Sequence, residues 1–350
     1  MTDPINYRDP HGAPVSAKAE AQGEDDAPAV PPLAARRLRL ELQGGSSMTV
    51  RELRPVAQGT GGIQAGYEQL DNEILVGLRL AGLCGTGSAY PRELPRLIGY
   101  EADSPEPYAL LEPLRGSPVA ESAGQLPFRD RRAFQVSLLN GMRWLGAAGI
   151  AHRGLSPHTV RWDGKDVQIT DFSQATLIGT PRTVVGAPPW SGPEQRQGKA
   201  VGEVTDRDDV YAVGRLIFYV LTGAEPNQRR LQELPDLAEL LAGVTDDAHL
   251  RPSIGMLLER LEEDNTPTRG LDVDPAFAQG RSEFGTQRAR KHPGTVPPPP
   301  TAPQPPPSPE PRPVSATERR ITPAFLRRIL VVAGALVTLA AVAAYLVATL

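Results

Sequence analysis

The sequence predicts an α+β protein with two lobes, a small strand-rich lobe followed by a larger helical lobe, and one C-terminal transmembrane helix. Three observations lead to this fold class. Short apolar segments bounded by turn residues precede about Phe128, and longer segments with helical spacing follow it. Strands grouped ahead of helices are typical of α+β packing. The last 22 residues, 329–350, contain neither a charged residue nor a proline.

The small lobe is predicted to occupy residues 34–114. Two apolar segments, "RRLRLEL" and "MTVREL", flank "QGGSS" and predict a β-hairpin that turns at Gly44 and Gly45. The apolar residues of "YEQLDNEILVGLRLAGL", residues 67–83, lie near helical spacing. The segments "RLIGYEA" and "PYALLEPL" predict two further strands. A hairpin, a helix and a second pair of strands therefore make up this half.

The large lobe is predicted to occupy residues 115–263. Its apolar segments are longer and have helical character: "RRAFQVSLLNGMRWLGAAG", "DDVYAVGRLIFYVLTG" and "SIGMLLERLEE". Together the two lobes are long enough to bury a sizeable core.

The two lobes are flanked by segments that predict no packed structure. Residues 1–33 are rich in Ala, Pro and acidic residues and lack periodicity, so we expect a disordered tail. Residues 264–328 predict a basic, Pro-rich linker around "TVPPPPTAPQPPPSPEPRPV". Such a segment favours extended polyproline II and acts as a semi-rigid spacer, or serves as a PxxP ligand.

The uncharged segment 329–350 predicts the transmembrane helix. A helix of that length spans roughly 33 Å, which is enough to cross a bilayer core. The alternative is a buried soluble helix. Arginines cluster just before the span, and the positive-inside rule then places the preceding chain in the cytoplasm. We therefore expect a single-pass protein of the cell membrane whose N-terminal domain is cytoplasmic.

Composition excludes several other classes of function. The net charge is −4, and no basic stripe with interleaved aromatic residues indicates a nucleic-acid partner. Cys84 is the one cysteine, so no internal disulfide can form, and a reducing compartment fits.

Five motifs in a fixed order carry the most specific signal in the chain. They are "HRGLSP" at 152–157, "ITDFS" at 169–173, "GAPPWSGPEQ" at 186–195, "DRDDVYAVGRLIFYVLTG" at 206–223 and "LRPS" at 250–253. In this order they resemble the catalytic loop, the metal-binding turn, the end of the activation segment, the buried helix and the late arginine motif of a bacterial Ser/Thr protein kinase. The resemblance implies a two-lobed kinase-like fold.

The resemblance also implies that the catalytic groups are degenerate. Gly154 stands where the family has its catalytic Asp, and Thr159 stands where it has a metal-binding Asn. His158 is the remaining candidate base, with a solvated loop histidine as the alternative. Asp171 is retained and is the one tentative Mg²⁺ ligand, unless its carboxylate only caps a turn.

The phosphate-binding groups depart from the family in the same way. Arg51 stands where the family has a phosphate-binding Lys, and no glycine-rich loop precedes it. Glu73 on the following helix is a candidate partner for Arg51, with a surface salt bridge or no pair as alternatives. If a nucleotide binds, the resemblance places Asp171, Arg51 and Leu114 around it. We expect no required cofactor and at most weak binding of ATP and Mg²⁺.

The residues that the resemblance assigns to structure are all present. Glu194 and Arg251 resemble a buried ion pair of the large lobe, Asp209 resembles the carboxylate that accepts backbone N–H groups of the catalytic loop, and His152 resembles the histidine that packs beneath that loop. Thr183 is a candidate phosphosite. The alternative is a threonine that is never modified.

With its structural motifs present and its reactive ones lost, the sequence predicts a pseudokinase that acts through binding. The expected partner is a cytoplasmic or membrane-associated protein, such as an active kinase or its substrate. Three alternatives remain open: a weakly active or atypical Ser/Thr kinase, a nucleotide-binding switch without catalysis, and a domain without a role.

Overall fold

A closed six-stranded barrel and helix α1 form the small lobe in the computed structural model, which describes residues 2–25, 29, 31–58, 61–196, 199–225, 231–264, 268 and 271–291. The strands are antiparallel and follow the order β1-β2-β3-β4-β6-β5. Their bounds are Thr2–Arg8 (β1), Pro14–Glu24 (β2), Leu33–Leu42 (β3), Ser47–Pro55 (β4), Leu97–Glu101 (β5) and Tyr108–Leu111 (β6).

The predicted elements of the small lobe are confirmed. Strands β3 and β4 form the hairpin, and its turn places Gly44 and Gly45 at positive φ, a conformation that glycine adopts without steric cost. Helix α1 runs from Gly62 to Cys84 and includes the predicted segment 67–83. The two further strands are β5 and β6.

Two apolar layers hold the small lobe together. The barrel interior contains Ile5, Tyr7, Ala17, Leu38, Leu40, Val50, Tyr108 and Leu110. A second cluster joins the other face of the sheet to α1, and it includes Leu53, Leu70, Ile74, Leu78 and Leu97. Because both faces of the central strands are covered, α1 is fixed against the strand that carries Arg51.

The large lobe is mostly helical, as predicted. Its helices are α2 (Phe128–Ala147), α3 (Val210–Thr222), α4 (Pro235–Leu240) and α5 (Ile254–Arg260). Along the chain, five short strands lie between β6 and α3 among the described residues. They are β7 (Ser117–Pro118), β8 (Ile150–Ala151), β9 (Val160–Trp162), β10 (Val167–Ile169) and β11 (Thr176–Leu177). The core of this lobe is built from the apolar faces of α2 and α3 and the residues of β9 and β10.

The prediction of a disordered tail over residues 1–33 is wrong for the residues described there. Strands β1 and β2 pair from Thr2↔Glu20 to Arg8↔Pro14, and Arg8 of β1 pairs with Tyr100 of β5 to close the barrel. The physical reason is that alternate apolar side chains, at Ile5 and Tyr7, fill the barrel interior. The small lobe therefore begins at Thr2, well before residue 34.

The prediction of a linker over residues 264–328 is also wrong in its first part. Helix α6, Ala278–Lys291, packs against α1 and the barrel, and Phe284 lies in the small-lobe core. The Tyr100 hydroxyl donates to the Gly280 carbonyl at 3.1 Å, and a Cβ at Gly280 would lie 2.0 Å from the Pro10 carbonyl oxygen, so this crossing requires glycine. The Pro-rich part of the linker lies outside the described residues.

No helix among the described residues has the length and apolar character needed to cross a membrane. The transmembrane helix predicted at 329–350 lies outside the described residues.

We predict that Phe284→Ala lowers the free energy of unfolding by about 3–5 kcal/mol, because it empties a site in the small-lobe core. Phe284 is 2% exposed and stacks edge-to-face on Tyr100 with ring centroids 5.7 Å apart. Phe128→Ala is the control, since Phe128 is 87% exposed and its removal should change stability by less than about 0.5 kcal/mol. Urea denaturation measures both, and equal effects would show that α6 adds nothing to the core.

Candidate functional site

A cleft of about 590 Å³ lies between the two lobes. Its walls come from β3, β4 and α1 on one side and from the segments around β7, β9 and β10 on the other. Six residues singled out from the sequence line it: Arg51, Glu73, Leu114, His158, Thr159 and Asp171. The volume lies within the roughly 300–1,000 Å³ typical of small-molecule sites.

Gly154 leaves the loop without a carboxylate where the resemblance places the base. Its N–H donates to Nδ1 of His152 at 3.2 Å, and its φ is not positive. A Cβ there would lie 3.6 Å from that nitrogen and 3.7 Å from Gln174, which are ordinary van der Waals distances. Neither space nor backbone strain therefore requires glycine. His158, the other candidate base, lies at the exposed rim of the cleft.

The hydroxyl of Thr159 is engaged within its own loop. It accepts the N–H of Ser156 at 2.9 Å and lies 3.2 Å from the carbonyl oxygens of Gly154 and Ser156, to which it can donate. A neutral oxygen held in this way is a poor substitute for the amide oxygen of an Asn as a ligand of Mg²⁺.

Asp171 projects from a turn with φ of +64°, which is uncommon for a residue other than glycine. Its Oδ1 accepts the N–H of Ser173 at 3.3 Å, so the turn-capping alternative is part of what this carboxylate does. Within the described residues, no group of three or more His, Cys, Asp or Glu side chains could hold a metal ion. Asp171 and Thr159 do not by themselves form a fitting site for Mg²⁺-bound ATP.

The guanidinium of Arg51 forms an ion pair with Asp25, which follows strand β2. Both side chains are nearly buried, at 10% and 7% exposure. Sequence reasoning missed Asp25 because it lies in the segment predicted to be disordered. The only available signal was its position in an acidic segment before the strand that pairs with β4.

Glu73 is buried on α1 and accepts the N–H of Phe172 at 2.8 Å, so the surface salt bridge considered for it is wrong. Burial, with the nearby Asp171 carboxylate as a second cause, raises the pKa of Glu73 from 4.5 to about 8. Arg51 and the Phe172 N–H act in the opposite direction. At neutral pH, Glu73 is therefore predominantly protonated.

Arg161 is a second residue of the cleft that sequence reasoning missed. It is buried on β9, and its guanidinium donates to the carbonyl of Arg115 at 3.1 Å and to that of Gly116. Burial first, and then the nearby Arg51, lower its pKa. The cleft thus has a cationic wall formed by residues from β4 and β9.

The loop beneath the cleft is held by buried polar contacts. Asp209 accepts the N–H groups of His152 and Arg153 at 2.6 and 2.7 Å, which are the hydrogen bonds that the resemblance implies. Nε2 of His152 lies 3.0 Å from the carbonyl of Thr170, to which it donates while Nδ1 accepts from Gly154. These contacts join the loop to the turn that carries Asp171.

Glu194 and Arg251 form a bidentate ion pair, with N–O distances of 2.7 and 2.8 Å, and Arg251 is 1% exposed. Removing one partner from such a pair leaves an uncompensated buried charge, at a cost of about 3–5 kcal/mol. Thr183 lies against Arg153, whose Nη1 donates to the threonine hydroxyl at 3.1 Å. The structure therefore brings Thr183 and Arg153 together while the hydroxyl is unmodified.

Relatives of the chain are Ser/Thr protein kinases, although no protein-family model matches it. The chain is 30% identical over 255 residues to serine/threonine-protein kinase Pkn1 of Myxococcus xanthus, a match that covers 62% of this chain and 35% of that protein. It is 27% identical over 226 residues to the DNA damage-responsive serine/threonine-protein kinase RqkA of Deinococcus radiodurans, covering 57% of this chain and 32% of that protein. It is 26% identical over 283 residues to serine/threonine-protein kinase PknA of Nostoc, covering 75% of this chain and 45% of that protein.

The fold and the cleft define a two-lobed α+β protein with a small-molecule-sized site between its lobes. The chain is similar to bacterial Ser/Thr protein kinases at modest identity. The chain spans between about a third and a half of the length of these relatives. The kinase-like fold predicted from the motifs is thereby supported.

We predict that Glu73→Gln makes the protein more stable than the wild type at high pH but not at low pH. A carboxyl whose pKa is raised on folding stabilises the protein fully below 4.5 and loses that stabilisation as pH rises to about 8. The amide keeps an acceptor for Phe172 and has no charge to bury. The stability difference, variant minus wild type, should grow by up to about 1.4 kcal/mol per pH unit across this window.

Urea denaturation at a series of pH values measures this difference. The control is Glu68→Gln, since Glu68 lies on the same helix with a carboxylate outside the buried core. A flat difference for Glu73→Gln would show that Glu73 is ionised at neutral pH.

Proposed function

We propose that this protein is a pseudokinase, a kinase-like protein that acts through binding and does not transfer phosphate. The observation that carries the proposal is Gly154, a position with room for a side chain and no group to orient or deprotonate a nucleophile. General acid–base groups contribute typically about 10²–10⁴-fold to a reaction rate.

The other parts of a phosphoryl-transfer site support the same conclusion. Such a site works mainly by holding phosphates and metal and by neutralising charge. Here Arg51 is paired with Asp25, and the Thr159 hydroxyl is engaged within its loop. The effects of such losses on the reaction rate are not additive. Each loss nevertheless removes a different requirement of phosphoryl transfer, namely phosphate binding or metal binding.

The expected mode of action is as a protein-binding scaffold or regulator. The buried contacts of Asp209, His152 and the pair of Glu194 with Arg251 keep the large lobe ordered without any catalytic group. An ordered kinase-like domain can present a binding surface to a cytoplasmic or membrane-associated protein, such as an active kinase or its substrate. Function on such a fold is decided by its surfaces and sites, not by the fold.

A second candidate function is a nucleotide-binding switch without catalysis. The cleft volume of about 590 Å³ and the position of Asp171 on its wall favour this candidate. Displacement of Asp25 from Arg51 would be required before phosphate oxygens could reach the guanidinium.

The proposal includes a membrane tether. The uncharged segment 329–350 and the arginines before it support a single-pass helix that keeps the kinase-like domain at the cytoplasmic face. Basic residues near an anionic surface add about 1 kcal/mol each to membrane attraction.

We predict that the full chain with Mg²⁺ and radiolabelled ATP transfers phosphate at least about 10⁴-fold more slowly than the roughly 1–100 s⁻¹ typical of kinases. Autophosphorylation and transfer to a generic protein substrate are measured together. Asp171→Ala and the exposed Asp236→Ala serve as matched variants, one in the cleft and one on α4. Transfer that Asp171→Ala abolishes and Asp236→Ala leaves intact would make the protein an active kinase.

We predict that deletion of residues 329–350 moves the protein from the membrane fraction to the soluble fraction. The matched control deletes 293–314, a Pro-rich segment of the same 22-residue length, and should leave the protein in the membrane. Fractionation of cells expressing each form measures the distribution. A form lacking 329–350 that stays wholly in the membrane fraction would refute the tether.

A further inference from the structure

The ion pair between Asp25 and Arg51 lies inside the cleft and not on the protein surface. Asp25 and Arg51 both line the cleft, next to Glu73 and Asp171. The carboxylate contacts Nε of the guanidinium, and less than about a tenth of either side chain is exposed. Arg51 therefore has its charge compensated by a carboxylate of the same chain.

Strand geometry fixes both members of this pair. Arg51 lies in the middle of β4, where it is paired in register with Arg37 of β3. Asp25 directly follows β2, the strand that pairs with the other edge of β3. Asp25 therefore lies within reach of the strand that carries Arg51.

Charged side chains of both signs surround the pair. Arg37 and Arg161 line the same cleft, as do the carboxylates of Glu121 and Asp171. Burial first, and then the charge of nearby Arg51, lower the pKa of Arg161. Among the carboxylates that line the cleft, that of Asp25 forms an ion pair with Arg51.

We propose that Asp25 is an autoinhibitory group, whose carboxylate occupies in cis the position at which the guanidinium of Arg51 would otherwise bind an anionic ligand. A carboxylate and a phosphate present the same oxygen acceptors to a guanidinium, so the two compete for one position. The ligand class is a phosphorylated small molecule, such as a nucleotide, bound through its phosphate oxygens. This inference rests on the nucleotide-binding candidate and names the group that regulates its site, and it stands whether or not the protein transfers phosphate.

The test compares the full chain with the Asp25→Asn variant, which keeps a hydrogen-bond acceptor for Arg51 and removes the charge. Thermal unfolding is followed against increasing pyrophosphate, ADP or adenosine without Mg²⁺, in sodium chloride of matched ionic strength. Glu20→Gln is the control, because it makes the same charge change at an exposed position on β2. Adenosine distinguishes recognition of the phosphate from recognition of the nucleoside.

We expect pyrophosphate and ADP to stabilise Asp25→Asn saturably, with an affinity at least tenfold higher than for the wild type or Glu20→Gln. Adenosine should have no such effect, and Asp25→Asn with Arg51→Met should lose the response. The proposal is overturned if Asp25→Asn responds like the wild type, if the wild type binds pyrophosphate as tightly, or if the response survives Arg51→Met.

If Asp25→Asn is insoluble, its soluble yield is measured with and without pyrophosphate. The proposal is supported if pyrophosphate restores the soluble yield of Asp25→Asn and does not restore that of Asp25→Asn with Arg51→Met. In that case the anion replaces the lost carboxylate beside Arg51. A yield that pyrophosphate leaves unchanged overturns it.

Discussion

The carboxylate of Asp209 accepts the backbone N–H groups of His152 and Arg153, and the geometry of the cleft depends on these two hydrogen bonds. They hold a loop in which Arg153 has a φ of +62°, a conformation that needs support from its surroundings. The His152 ring then bonds the carbonyl of Thr170, the residue before Asp171. One buried carboxylate thus determines where the loop of Gly154 and the turn of Asp171 lie.

This arrangement explains how the structural and the reactive parts of the site can differ so much. Asp209, His152 and Arg251 are buried and hydrogen-bonded, so losing any of them leaves polar groups unsatisfied inside the lobe. At Gly154 a Cβ would meet its nearest neighbours, a ring nitrogen of His152 and the side chain of Gln174, at ordinary van der Waals distances. The fold therefore does not depend on the groups that chemistry would need.

The sequence predicted those elements whose apolar residues recur at regular spacing or that flank a recognisable turn. The β3–β4 hairpin has apolar segments on both sides of a Gly-Gly turn, and α1, α2 and α3 have long apolar faces. Strands β1 and β2 have only small or isolated apolar residues, such as Ala17, and their stability comes from closing the barrel. Helix α6 was hidden by its low apolar content, because Phe284 alone carries most of its packing.

Sequence motifs predicted several residues of the cleft, such as Thr159 and Asp171. They did not predict the residues that reach the cleft through tertiary contacts, Asp25 and Arg161. Asp25 and Arg51 are 26 positions apart and meet only because β2, β3 and β4 are neighbours in the barrel. Arg161 was missed for a similar reason, since its partners are backbone carbonyls 45 and 46 positions away. Local patterns do not encode such pairs.

The two segments that were not predicted also stabilise each other. His11, in the turn between β1 and β2, stacks on Phe277 just before α6, with ring centroids 4.1 Å apart, and Arg8 lies 3.6 Å from Glu283. At its other end, α6 places Lys291 4.1 Å from the ring centre of Tyr67 on α1. Helix α1 is thus held between the sheet and α6. Glu73 lies on α1 and is buried beside Asp171. Its position therefore depends on the packing of α1 against the sheet and against α6.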